Sequence, residues 1–251
     1  MVTEIDKQAV AKAYAGWAPV YDLVFGSVFE TGRKASIAAA ERIGGRILDV
    51  GVGTGISLAA YSPGNRIVGI DYCGPMLRKA QQRVALHGLA HVESLAVMDA
   101  QRLGFRDGFF DVVVAQFVIT AVPDPEATLD EFLRVTKPGG EIILVNHLGA
   151  EAGLQRDLEH LFAPLARRLG WRPEFKWARI AQWAERSGGV CVLERRAVAP
   201  LGQFSLIRLG RIPPLSPFGL GDTAALPLCE RGEPRNPKML PEVVVQSGDP
   251  T

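Results

Sequence analysis

Arg46-Ile47-Leu48-Asp49-Val50-Gly51-Val52-Gly53-Thr54-Gly55 is the stretch that decides the fold. A short β-rich run carries an acid just before its end, and three glycines at alternate positions follow. The backbone there must turn sharply and let a ligand approach closer than a β-carbon permits. An ordinary strand-to-helix turn is the plainest reading. A dinucleotide fingerprint is another, but GxGxxG counted from Gly51 puts Ile56 where its last glycine belongs. The pattern is instead GxGxG preceded by an acid, and the surrounding chain has to decide its meaning.

Outward from that turn, strands and helices alternate. A helix is expected from about Gly55, then a strand at Arg66 to Ile70, a helix at Gly74 to His87, and strands at His91 to Ala96 and Asp111 to Ala115. A helix follows at Pro125 to Val135. Pro138-Gly139-Gly140 then turns into Glu141 to Val145, an unbroken apolar run of the kind buried on both faces of a parallel sheet. After a helix around Arg179 to Arg186, the runs Val190 to Val198 and Gln203 to Leu209 are joined by so few residues that they must pair antiparallel. This order implies an α/β, Rossmann-like doubly wound sheet.

At the N-terminal side, Ile5, Ala9, Val10, Ala13 and Trp17 recur at helical spacing up to Pro19, and a second helix spans Thr31 to Arg42, closed by Gly44-Gly45. A long helical stretch, bent at Pro164, is expected between Gly149 and Gly170. Prolines recur without period from Ile212 onward, so that tail reads as disordered. Three regions result: a helical cap over 1–45, an α/β domain over 46–211 and a Pro-rich tail over 212–251.

The 251 residues, 47% hydrophobic and 22% charged, suffice for one buried α/β core. Neither a signal peptide nor a transmembrane span is expected, since the longest apolar run, Val112 to Val122, falls well short of about 20 residues. Cys73, Cys191 and Cys229 follow no paired spacing, so no disulfide framework and no metal site is expected, and the cytoplasm is the expected home. The net charge of +1 hides an asymmetry: residues 151–211 carry about +5, the segments on either side about −2 each. No base-reading module accompanies that excess, so a nucleic-acid partner is not expected.

Asp71 stands 22 positions after Asp49, one strand-helix-strand unit on, where its carboxylate can accept both hydroxyls of a ribose or cap the helix that follows. Asp99-Ala100, after the third strand, offers an acceptor for an adenine amino group and a backbone donor. Gln116-Phe117, after the fourth, would line the same rim. Singly each is as consistent with a loop residue. Their order, closed by Lys137-Pro138-Gly139-Gly140, resembles the class I S-adenosylmethionine-dependent methyltransferases over Ile47 to Val145. The resemblance implies a seven-stranded, mostly parallel sheet with the last strand antiparallel, preceded by N-terminal helices. It also implies S-adenosylmethionine as cofactor, with Asp49 and Gly51 near its methionine end, Gly53 and Gly55 binding it in the same glycine turn, Asp71 at the ribose, Met76 on the adenine face, Asp99 and Ala100 at the adenine, and Gln116 lining the cofactor cleft.

Beyond the cofactor half, Tyr14-Ala15-Gly16-Trp17-Ala18-Pro19-Val20-Tyr21-Asp22, Val145-Asn146-His147, Trp171, Arg195-Arg196 and Pro200-Leu201-Gly202 make residues 10–211 similar to the soluble bacterial phosphatidylethanolamine N-methyltransferases. These are themselves similar to quinone-ring C-methyltransferases, and a quinone or other small-molecule acceptor is the alternative. For an amine acceptor, a proton must be lost: a lysine-like amine, with a reference pKa of about 10.4, is only about one part in 10³ free base at pH 7. His147, just past strand five, is either the base that removes it or a structural histidine. Tyr21 can orient the amine and Tyr14 can cover the cofactor; both also read as core anchors. The transfer needs no metal.

A phospholipid acceptor implies contact with the inner face of the membrane. The first helix with Phe25 and Phe29, and the stripe Leu154, Leu158, Leu161, Phe162, Leu165 and Leu169 with its flanking arginines, are the candidates for docking on anionic lipid. Oligomeric state is left open by the sequence.

Overall fold

The computed structural model describes residues 29–148, 175–198 and 204–213. The first predicted helix with Tyr14 and Tyr21, the helical stretch between Gly149 and Gly170, and the Pro-rich tail lie outside the described residues. Within them, α1 (Glu30–Glu41) leads into β1 (Arg46–Val50), then β2 (Arg66–Asp71), α2 (Gly74–His87), β3 (Val92–Val97), β4 (Phe110–Gln116), α3 (Pro125–Val135), β5 (Thr136–His147), α4 (Trp177–Ser187), β6 (Val190–Val198) and β7 (Phe204–Arg211).

One seven-stranded sheet takes the order β3-β2-β1-β4-β5-β7-β6. The first five strands pair in parallel, and β7 runs antiparallel to both β5 and β6. This is the expected class I methyltransferase arrangement. The central strands are apolar on both faces because helices cover both: Val112, Val113, Val114 and Ala115 of β4 are fully buried, as are Ile142 to Val145 of β5. One face packs with α3 and α4 through Leu129, Phe132, Ile180 and Trp183. The other packs with α1 and α2 through Ile37, Ala40, Leu77 and Ala80.

Helix boundaries follow local chemistry. Pro125 opens α3 where its missing N–H costs nothing, and Asp124 before it accepts from the Ala127 N–H at 3.0 Å. Trp183 donates its indole N–H to Asp130 at 2.8 Å, tying α4 to α3. Across the antiparallel end, Arg208 of β7 forms a two-pronged pair with Glu141 of β5 at 2.7 and 2.8 Å and reaches Glu194 of β6.

Four expectations change. After the glycine turn there is no α-helix but a single 3-10 turn, Leu58–Ala60, because Pro63-Gly64 follows too soon for a second turn to form. Pro138-Gly139-Gly140 does not precede β5 but sits inside it as an irregularity: Phe110 faces Thr136 while Val112 faces Glu141. Phe29 is not a membrane-facing residue, since its ring is buried among Phe117 and Phe204 at centroid distances of 4.3 and 5.4 Å. Cys73 is buried, and Cys191 is disulfide-bonded, against the expectation of no disulfide, a pairing that no local spacing announces.

Candidate active site

Five parallel strands end at one rim, and strand register lines their last residues up. Val50 faces Ile70 on one side and Ala115 on the other, Asp71 faces Val97, and Gln116 faces Val145. Most of the residues singled out from the sequence therefore stand along one edge.

The glycine turn is built by three glycines with separate tasks. Gly51, Gly53 and Gly55 have φ of 71°, 56° and 78°, the left-handed region that disfavours a side chain. A β-carbon on Gly51 would lie 2.3 Å from Val118 Cγ2, and one on Gly55 would lie 3.0 Å from Ala80 Cβ on α2. A β-carbon on Gly53 would meet nothing closer than the Gly51 carbonyl oxygen at 3.9 Å. Gly51 and Gly55 thus bring protein to protein, whereas Gly53 presents bare backbone to open space, as a bound cofactor requires.

Asp71 completes this cradle. Its Oδ2 accepts the Gly53 N–H at 2.8 Å and its Oδ1 the Cys73 N–H at 2.7 Å, so one half-buried carboxylate joins the glycine turn to the start of α2. Burial raises its pKa from the ordinary carboxylate value, against the pull of the backbone donors on Cys73, Gly53 and Tyr72. Each oxygen keeps acceptor capacity beyond one backbone bond, so a ribose fits here without dismantling the turn.

Asp49 lies beneath the turn, 1% exposed, within 3.4 Å of the Tyr61 hydroxyl that donates to it. Burial pushes its pKa up to about 7; the Tyr61 hydrogen bond opposes that rise and the nearby Asp71 charge adds to it. Met76, 2% exposed in the first turn of α2, belongs to the buried side of the cleft. Asp99 folds one carboxylate oxygen back onto the Gln101 N–H at 3.0 Å, and Ala100 beside it packs against the core under α3.

Gln116 does more than line the rim. Its Oε1 accepts from Ser57 at 2.7 Å and its Nε2 donates to Ser36 at 3.0 Å, all three buried, so the amide clamps the turn region to α1. Phe117, next in sequence, has φ of 62°, a conformation that costs roughly 1–2 kcal/mol outside glycine. Its N–H donates to the Val145 carbonyl at 2.7 Å and its ring packs between Phe29 and Phe204, which hold it there.

His147 ends β5, half-buried, on the face covered by α1, with Phe204 edge-on at 6.3 Å. Its neighbour Asn146 points to the opposite face and is completely buried, yet neither its Oδ1 nor its Nδ2 has a hydrogen-bond partner. Each such group ordinarily costs about 1–3 kcal/mol. Ser36, Ser57, Tyr61 and Asn146 carried no assigned role in the sequence reading. The signal for Ser36 and Asn146 was a polar residue inside an otherwise apolar element, and nothing local singled out Ser57 or Tyr61. Among the described residues, no cluster of His, Cys, Asp and Glu is arranged to hold a metal.

Comparison with known proteins agrees with this site. The family model for a methyltransferase domain matches residues 48–144. The phosphatidylethanolamine N-methyltransferase of Cereibacter sphaeroides is 38% identical over 207 residues, 82% of this chain and 100% of that protein. A demethylmenaquinone methyltransferase of Thermus thermophilus is also 38% identical, but over 136 residues, 51% of this chain and 61% of that one. The structure of Haemonchus contortus phosphoethanolamine N-methyltransferase 2 with S-adenosylmethionine shares the fold at a TM-score of 0.64 and 18% identity, covering 80% of this chain and 57% of that one. With a relative matched along its entire length and the cradle above Gly53 in place, the chain belongs to the S-adenosylmethionine-dependent methyltransferases, in the family of the Cereibacter phosphatidylethanolamine N-methyltransferase.

Proposed function

We propose that the chain transfers methyl groups from S-adenosylmethionine to the amine of phosphatidylethanolamine and then to its mono- and dimethyl forms, leading to phosphatidylcholine and releasing S-adenosylhomocysteine. The observation that carries this reading is the extent of the likeness. Identity to the Cereibacter enzyme runs through β5, β6 and β7, where an acceptor has to be recognised, and not only through the cofactor half. The Thermus quinone enzyme is equally identical but over only 51% of this chain, which makes a quinone acceptor the second reading.

The bound cofactor supplies a methyl group activated on a sulfonium sulfur. The chain's own residues hold it: Gly53 by exposed backbone, Asp71 at the ribose, Asp99 and Ala100 at the adenine, Asp49 under the methionine end. His147 at the end of β5 takes the proton that the amine must lose, directly or through water, help worth typically 10²- to 10⁴-fold. Much of the remaining rate comes from holding amine and methyl in line. Tyr14 and Tyr21 are assigned to cover the cofactor and orient the amine.

No helix among the described residues is long and apolar enough to cross a membrane. A lipid acceptor then requires peripheral contact with the cytoplasmic leaflet, and the basic segment 151–211 suits anionic headgroups. Incubating the protein with methyl-labelled S-adenosylmethionine and phosphatidylethanolamine vesicles, with and without an anionic phospholipid, tests the whole reading. Labelled methylated lipids, formed faster on anionic vesicles and more slowly in high salt, are the expected result. Label appearing only in added demethylquinone would overturn it.

A further inference from the structure

We infer that Asn146 is the residue that grips the acceptor nitrogen through its N–H bonds and so distinguishes the first two methylations from the third. This rests on the lipid N-methyltransferase reading above. The amide is wholly buried with both polar ends unpartnered, one residue from the end of β5 at the rim where the acceptor must arrive. Strand alternation places it on the face of Ile142 and Leu144, opposite to His147, so the two side chains flank the end of β5 from either side. Ser205 is its cross-strand partner on β7, on the same face, and the two do not hydrogen-bond. A buried amide left open in this way awaits a group that completes it.

An amide oxygen suits this task better than a carboxylate. A carboxylate beside the acceptor would favour the ammonium form, which has no lone pair to attack with. A neutral carbonyl accepts an N–H from the free amine and leaves the lone pair free to face the methyl. In each cycle the lone pair forms the new C–N bond and the methyl–sulfur bond breaks with its electron pair staying on sulfur; in the first two cycles an N–H proton then leaves the product ammonium for the base, whereas the third ends at a quaternary ammonium that has no N–H to lose. The primary amine brings two N–H bonds to Asn146 Oδ1 and the monomethyl amine brings one. The dimethyl amine brings none.

Asn146→Leu keeps the volume and removes the polar atoms. Initial rates on phosphatidylethanolamine, its monomethyl form and its dimethyl form, in mixed micelles with saturating S-adenosylmethionine, should fall at least about tenfold on the first two and less than about twofold on the third. In direct titration the wild-type protein should prefer glycerophosphoethanolamine to glycerophosphocholine, and the variant should lose that preference. The melting temperature should hold or rise, since an apolar isostere replaces an uncompensated amide. If Asn146→Leu does not fold, Asn146→Ser carries the same comparison. Equal losses on all three lipids, or no loss on any, would overturn the inference while leaving the reading intact. Failure of the wild-type protein to methylate any of the three would overturn both.

Discussion

The rim over β1, β2 and β4 and the rim over β5 are built on opposite plans. On the first, the protein already binds itself: Asp71 holds the Gly53 and Cys73 amides, Gln116 holds Ser57 and Ser36, and Asp99 holds Gln101. On the proposed reading the cofactor meets, among the described residues, a cradle held by its own hydrogen bonds before it arrives, so ordering these residues costs little affinity. On the second, Asn146 is buried with neither end of its amide satisfied. One end of the sheet is preorganised for a ligand common to many methyltransferases. The other holds a buried amide without a partner, which on the inference above its own acceptor completes.

The strongest way to break the comparison is at Asp71. Asp71→Ala removes the acceptor proposed for two ribose hydroxyls, each worth about 1.5–3 kcal/mol when the acceptor is charged, so cofactor affinity should fall by roughly 10²- to 10⁴-fold. Calorimetric titration with S-adenosylhomocysteine measures this directly, while circular dichroism should show the sheet intact. A loss below about threefold would mean that the carboxylate serves only the turn, and that the first rim is scaffold rather than cradle.

His147→Ala sharpens the contrast from the other side. Turnover on phosphatidylethanolamine should drop about 100-fold near neutral pH while cofactor affinity is unchanged. The deficit should shrink as pH rises toward the pKa of the amine, because free base then forms without help. A deficit equal at every pH, accompanied by weaker cofactor binding, would show that His147 supports the fold near Phe204 and has no part in proton removal.

The two rims also differ in how far they can be read in advance. The cofactor side was legible because its chemistry is local: glycines that must take positive φ, and acids one strand-helix-strand unit apart, leave marks in the sequence itself. All seven strands were placed within two residues at each end, save β5, whose start is five residues earlier because the Pro138-Gly139-Gly140 irregularity is absorbed into its pairing with β4. The missed helix after Gly55 followed from extending a general pattern through a segment that Pro63 cuts short. What could not be read was set by distant partners. Gln116 looked like a rim residue until Ser36, 80 positions earlier, proved to hold it, and nothing in Gln116-Phe117 announces a phenylalanine at positive φ. Phe29 looked like a membrane residue because its partners, Phe117 and Phe204, lie far along the chain.

The smallest effect probes whether the cofactor rim is complete in charge as well as in shape. Asp49, with a folded pKa of about 7 against the ordinary carboxylate value of 3.8, holds its proton in the folded, ligand-free protein at pH 6. A carboxyl whose folded pKa is raised in this way stabilises the fold below the unfolded value, and that contribution is lost as pH rises from about 4 through 7. S-adenosylmethionine brings positive charge to its methionine end, so binding favours the ionised carboxylate and expels the proton. Apparent affinity should therefore improve about tenfold between pH 6 and pH 8, with close to one proton released on binding at pH 6, measured by calorimetry in buffers of different ionisation enthalpy. Asp49→Asn keeps an acceptor for Tyr61 and removes the titration, so its affinity should be flat over that range and its melting temperature should exceed that of the wild type at pH 8 but not at pH 4. A wild-type affinity that does not change with pH would show that Asp49 stays protonated under the bound cofactor and acts only as a hydrogen-bonded support of the turn.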